Sequence, residues 1–285
     1  MPLAALGLLL VAAVLHAGWN LFVKRAKEKQ VFTWWSLVVG AICFAPLLIV
    51  NLPLPLKIWP YVAASALMEA IYYVGLTYAY GLDDFSLVYP LARGAAPAFL
   101  LIWATIFLGE HPRPMGLVGL TLLLLGLTVV GGAAWWSQRK IAVPSLNGTI
   151  AALATAFCIS IYSAIDGAAV RLVSSLPYTV LVLGLSAVLI MPPLLLRYGY
   201  HAVTAEWRTN WLRIILVGIL MLASYALVLR VYSFARVSYA GAVREISIVF
   251  AAFIGWRWLG EGFGVIRLVG AVLIFAGILV IAIAG

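Results

Sequence analysis

Residues 93–126 read RGAAPAFLLIWATIFLGEHPRPMGLVGLTLLLLG, and residues 244–277 read REISIVFAAFIGWRWLGEGFGVIRLVGAVLIFAG. At a constant shift of 151 positions Arg93 falls on Arg244, Leu108-Gly109-Glu110 on Leu259-Gly260-Glu261, Leu117-Val118-Gly119 on Leu268-Val269-Gly270, and Gly126 on Gly277. Apolar sequence does not bring Arg and Glu into register by chance, so the two stretches form an internal repeat. Upstream the alignment loosens: HAGWN (16–20) stands roughly opposite SIYSA (160–164).

The 285 residues are 66% hydrophobic and 9% charged, with a mean hydropathy of +1.14. A soluble core needs far less apolar surface, whereas a membrane-spanning helix needs about 20 apolar residues. Ten spans are expected, at 3–23, 31–51, 58–79, 84–107, 114–134, 145–166, 177–197, 210–232, 237–258 and 263–283. Turn chemistry or charge separates them, as in KRAKEKQ, NLPLPLK, GLDDFS, GEHPRPM, SQRKIAVPS and RYGYHAVTAEWR. The expected fold is therefore an all-α integral membrane bundle, with a first five-helix repeat over 1–140 and a second over 141–285. Five is odd, so the second repeat enters the membrane from the opposite side. Inverted repeats of this kind recur in secondary transporters, with the site near the midplane where the copies meet. No soluble domain fits between the spans. The formal charge of +9 reads as span-end charge and not as a nucleic-acid surface.

The connections after spans 1, 3, 5, 7 and 9 hold Lys24, Arg25, Lys27, Lys29, Arg139, Lys140, Arg197, Arg208, Arg213, Arg257 and Arg267. The opposite side holds Lys57, Arg113, Arg171, Arg230 and Arg236. Positive charge concentrates on cytoplasmic loops, so this count places both termini outside. The N-terminal stretch lacks a basic n-region and a cleavage site, and reads as a retained first span. Cys43 and Cys158 fall inside apolar spans as small hydrophobes, able to pair only if their helices touch.

Charged groups inside a bilayer are expensive and face the bundle interior or a wet cavity. Here they are Arg93, Arg244, Glu69 and Glu245, with Asp166 near the end of span 6. Two readings compete. In one, Arg93 and Arg244 pair with Glu69 and Glu245, two with two, and hold helix register. In the other, the arginines face an anionic group of a substrate, while Glu69 holds a proton or an ammonium. Tyr72 and Tyr73 lie in one stripe with Glu69, suited either to packing or to satisfying the carboxylate. In span 1, His16, Trp19, Asn20 and Lys24 share a face with Ala12. In span 6, Tyr162, Ser163 and Asp166 repeat that spacing. Both sets serve equally as inter-helix bonds or as a polar cavity wall. Tyr89, four residues before Arg93, and Tyr225 in span 8 complete the candidate substrate-binding set. Asp166 joins Glu69 as a candidate for proton coupling. Pro90 and Pro97 bracket Arg93, and the Gly119/Gly126 and Gly270/Gly277 pairs read as close helix contacts.

Enzyme signatures are missing: there is no Gly-x-Ser-x-Gly, no metal-spaced His pair, no phosphate loop and no Cys-x-x-Cys. No catalytic residue, metal site or cofactor is expected.

Ten spans in a five-plus-five repeat, each copy with Gly-Glu after its fourth span (109–110 and 260–261) and a Gly-rich fifth span, resemble the EamA family of the drug/metabolite transporter superfamily. The opening HAGWNLFVKRAKEKQVFTWW also resembles a branch associated with phosphonate-utilisation operons. The resemblance implies a bacterial inner-membrane protein, a monomer or homodimer, moving small metabolites by alternating access, often as export, with a proton or another ion as partner. It implies a cavity lined by spans 1, 3, 4, 6, 8 and 9, which here carry Trp19, Glu69, Arg93, Tyr162, Tyr225 and Arg244. The Gly-Glu pairs are expected to be structural, Glu capping the next helix. Family habit puts both termini in the cytoplasm, against the charge count.

The expected substrate is a small polar metabolite with an anionic group, such as an amino acid or an aminophosphonate. Export of organic cations at Glu69 and the aromatic faces is the alternative of the same kind. A lipid-head-group flippase or non-transport scaffold is the alternative of a different kind.

Overall fold

The computed structural model describes all residues except 51–53, 83–84, 138–145, 248, 251–264 and 285. At 24, 76–82, 85–91, 130–137, 265, 267 and 284 it describes the backbone alone. Its elements are α1 (Leu3–Arg25), α2 (Lys29–Phe44), α3 (Pro46–Val50), a 3₁₀ turn (Leu56–Ile58), α4 (Trp59–Leu82) and α5 (Phe85–Leu108). There follow α6 (Pro114–Ser137), α7 (Leu146–Ala169), α8 (Ser175–Tyr232), α9 (Val237–Val243), a second 3₁₀ turn (Arg244–Ile246) and α10 (Val265–Ala284). No strand occurs among the described residues.

Helix is the only open-ended element that satisfies its own backbone in lipid. The outward faces are apolar as lipid requires: Ile42, Ile102, Phe107, Leu212 and Phe275 are exposed. Four described helices meet the length and hydropathy of a span outright: Leu3–Val23, Lys29–Val50, Leu146–Ala169 and Ser175–Tyr232. The last has 58 residues, roughly 87 Å if straight, far more than a bilayer is thick. It bends at Gly199, whose φ of 72° leaves the helical region. The stretch RYGYHAVTAEWR, expected as an open connection between spans 7 and 8, is thus helical on both sides of one glycine. Arms 175–198 and 200–232 form, because nothing else in that stretch stops a helix.

The breaks at KRAKEKQ and GEHPRPM fall between helices as expected, while most of SQRKIAVPS and parts of NLPLPLK and GLDDFS lie outside the described residues. Gly109, φ 63°, turns the chain out of α5, and the Glu110 N–H folds back to the Ala104 carbonyl at 3.0 Å. Pro97 leaves α5 unbroken. Cys43 and Cys158 are free thiols, so the open question of a disulfide is answered in the negative.

Packing is sparse in side chain and close in backbone. α6 crosses α10 where a Cβ on Gly119 would stand 2.8 Å from the Gly277 carbonyl oxygen, and one on Gly126 would stand 2.6 Å from that of Gly270. The glycine pairs of the repeat thus meet each other reciprocally, first on second and second on first, with the helices antiparallel. α2 lies along α8, tied by indole N–H bonds from Trp34 to the Ala187 carbonyl (2.8 Å) and from Trp35 to that of Val203 (2.9 Å). α4 packs on α7 and α1 on α8. The Met1 ammonium donates to the Ile281 and Ala282 carbonyls, so residue 1 and the end of α10 share one face of the bundle.

Candidate functional site

α5 packs on α9, which brings Arg93 opposite the turn that follows α9. There the helix tightens to 3₁₀ at Arg244–Ile246, leaving Arg244 and Glu245 adjacent and buried. The Glu245 carboxylate, fully buried, takes Arg93 Nη2 on one oxygen at 2.8 Å and Arg244 Nε on the other at 3.2 Å. This corrects the expected two-with-two pairing. Glu69 lies on α4 with no cationic partner among the described residues. It accepts instead from Ser186 Oγ at 3.0 Å. The reason is sequence adjacency: Glu245 is fixed beside Arg244 and reached by Arg93, so one carboxylate answers two cations. The trio carries two cationic groups and one carboxylate.

Arg93, Arg244 and Glu69 line a cavity of about 90 Å³ together with His16, Trp19, Tyr72, Tyr73, Tyr162 and Tyr225. Four tyrosines form a chain of rings on this wall, beside a separate His16–Trp19 pair. Tyr72 meets Tyr73 at 4.9 Å and Tyr162 at 6.1 Å between ring centroids, Tyr162 meets Tyr225 at 6.4 Å, and His16 stands edge-on to Trp19 at 4.6 Å. On the cavity wall, the Trp19 indole N–H and the Ser247 hydroxyl are buried with no hydrogen-bond acceptor among the described residues. Buried donors without acceptors are costly, so their presence beside two arginines makes the wall suited to an oxygen-rich anion.

Behind the cavity lies Asp166, fully buried on α7. Tyr178 donates to Oδ1 at 2.7 Å, and Tyr225, which also faces the cavity, donates to Oδ2. Asp166 therefore belongs to a second layer, joined to the first by one phenol. Glu245 is likewise behind the wall and not on it.

Asn20 does not reach the cavity. Its amide donates to the His16 carbonyl one turn earlier in the same helix at 2.8 Å, the usual refuge of a polar side chain in a span. The side chains of Tyr89 and Lys24 lie outside the described residues. Sequence reasoning missed Ser247, although it stands three residues after Arg244 and so on its face. It also missed Ser186 and Tyr178, whose roles come from helix pairings that no local spacing encodes.

The first Gly-Glu pair has a use other than the one expected. Glu110 does not cap the next helix, α6. Its carboxylate accepts the Val237 N–H at 2.5 Å, the Ser238 N–H at 3.1 Å and the Ser238 hydroxyl at 2.6 Å, and Arg171 stands 3.6 Å away. It caps α9, which has no capping side chain of its own. Gly109 makes the turn that points Glu110 there. Its repeat equivalent, Glu261, lies outside the described residues.

An apolar helical bundle that gathers charge around an interior cavity defines an integral membrane protein of the transporter class. The model of the EamA-like transporter family matches residues 3–132 and, a second time, 146–283. The chain belongs to that family, as the sequence resemblance implied. One solved structure, titled only as the crystal structure of a protein, superposes with a TM-score of 0.79 at 19% identity, over 99% of this chain and 98% of that one. That likeness speaks for the fold alone. No curated protein matches the chain. Among the described residues no group of three His, Cys, Asp or Glu side chains could hold a metal ion.

Proposed function

We propose that the chain is a secondary transporter moving a small polar metabolite that carries an anionic group, with an amino acid or aminophosphonate as the substrate class. The observation that carries this reading is the shared carboxylate. Two arginines share one glutamate that stands behind the wall, and both arginines line a cavity that also holds Glu69 and the buried Trp19 and Ser247 donors. The anion meets Arg93, Arg244, Trp19 and Ser247, and the amine meets Glu69. Tyr72, Tyr73 and Tyr162 supply ring faces for the organic remainder.

Alternating access in this family of folds rests on an inverted five-plus-five repeat of ten spans, over 1–140 and 141–285. The reciprocal, antiparallel meeting of Gly119 with Gly277 and of Gly126 with Gly270 supports the inversion. Residue 1 and the end of α10 on one face support an even number of spans. Export across a bacterial inner membrane is the direction and place the resemblance implies.

The test is uptake of radiolabelled amino acids and 2-aminoethylphosphonate into proteoliposomes. Wild type should accumulate at least one of them, and Arg93→Gln should lose most of that activity. Full transport of every anionic substrate by Arg93→Gln would overturn the anion site.

A second reading has its own observation. Glu69 has no cationic partner among the described residues and shares its cavity with Trp19, Tyr72 and Tyr73, an arrangement that also fits an organic cation. Competition by quaternary ammonium compounds, with none by phosphonates, would favour it.

A further inference from the structure

Tyr225 belongs to two environments at once. It lines the cavity, and its hydroxyl donates to Asp166, whose other oxygen takes the hydroxyl of Tyr178. Each carboxylate oxygen thus accepts a phenol proton, an arrangement suited to the ionised acid. A proton added to Oδ2 on the side of the phenol makes that oxygen a donor toward Tyr225, and the phenol hydrogen pointing at it then turns away. Tyr178 is fully buried, with no open side to turn toward, while Tyr225 faces the cavity. We infer that Tyr225 couples Asp166 to the cavity. With Asp166 ionised, the phenol shows the cavity an acceptor; with Asp166 protonated, it accepts the new O–H and turns its own hydrogen to the cavity occupant. One proton is taken up from solvent, and none is transferred to the occupant.

The charge balance points the same way. The groups around Asp166 and the cavity are Ser65, Glu69, Tyr72 and Tyr73 on α4, Arg93 on α5, Tyr162 on α7, Tyr178, Tyr225 and Tyr232 on α8, Arg244 and Glu245 after α9, and His16 on α1. With Glu69, Asp166 and Glu245 all ionised, two arginines face three carboxylates, and an anion would enter a site already in negative excess. A proton on Asp166 removes that excess while Tyr225 gains a donor to offer. Both effects make anion binding and proton uptake at Asp166 reinforce each other, and the reinforcement is reciprocal. It is an equilibrium property of the loaded cavity, so it holds whichever side loads it.

The inference rests on the proposed anion-binding cavity, and its test separates the two. Binding of serine and of 2-aminoethanesulfonate, which keep their charges over the range, is measured calorimetrically on the full chain in detergent at about pH 5.5 and about pH 8. Wild type should bind roughly tenfold more tightly at the lower pH. Asp166→Asn, whose amide mimics the neutral acid, should bind equally at both values, near the acid-side affinity of wild type. Tyr225→Phe should bind more weakly and with a smaller pH ratio, because only the charge effect of Asp166 remains. Glu69→Gln should keep the pH ratio, which excludes Glu69 as its source.

A wild-type pH ratio retained in Tyr225→Phe overturns the coupling. Should that variant fail to fold, as read by its thermal midpoint, Asp166→Asn decides: affinity that still climbs in acid overturns the inference. Anion binding that is flat with pH in wild type defeats the coupling and leaves the proposed function standing. If neither ligand binds at any pH while quaternary amines do, the functional reading falls, and the coupling with it.

Discussion

Arg93 and Arg244 meet through one residue. Glu245 holds the first at 2.8 Å and the second at 3.2 Å, each on its own oxygen. One buried carboxylate therefore links Arg93 of the earlier half to Arg244 of the later half, and the three groups are not equivalent under mutation. Arg93→Gln leaves the Arg244–Glu245 pair intact. Glu245→Gln strands two buried cations, and breaking even one buried pair costs about 3–5 kcal/mol. Glu245→Gln should lower the thermal midpoint in detergent well below that of Arg93→Gln. Equal midpoints would refute the shared-carboxylate account.

Glu110 takes both leading N–H groups of α9 and the hydroxyl of Ser238. Glu110→Ala should cost about 1–3 kcal/mol, the range for buried donors left unmatched. Ser238→Ala, which removes the hydroxyl but neither N–H, should cost less. Thermal unfolding of the two variants side by side checks the order.

At the α6–α10 crossing a side chain has no room. Gly126→Leu should disrupt the contact with Gly270 and abolish recovery of folded protein, because the obstacle is backbone and cannot move aside. Gly18→Ala, with nothing within 4 Å of its added carbon, should be recovered at wild-type yield. Size-exclusion profiles after extraction distinguish the outcomes.

If Glu69 receives the amine, its removal should change selectivity more than affinity for the anion. Wild type should prefer 2-aminoethylphosphonate to ethylphosphonate, and Glu69→Gln should narrow that preference to near parity. Competition against labelled substrate measures the ratio. An undiminished preference would place the amine elsewhere.

The helices were legible because apolar length alone decides them in lipid, and the cavity was legible because charge in a span has nowhere else to go. Nine of the proposed residues, from His16 to Arg244, line one cavity for that reason. What spacing could not supply was partnership. Glu69 and Glu245 look alike in sequence, yet one accepts a serine and the other two arginines, because helix pairing selects the neighbour. Asn20 shares a face with His16 and Trp19 but spends its amide on its own backbone. The expected break at RYGYHAVTAEWR failed for a related reason. Its polar residues extend two helices past the apolar core, and only Gly199 has the backbone freedom to turn the chain.

The cap on α9 carries a consequence for how the chain is made. Glu110 emerges from the ribosome well over a hundred residues before the N–H groups it will hold, and α9 has no capping side chain of its own. The earlier half therefore holds a carboxylate ready for α9, and the later half gains its helix cap only by docking against it. A gene split between the halves would yield two chains, each completed by the other.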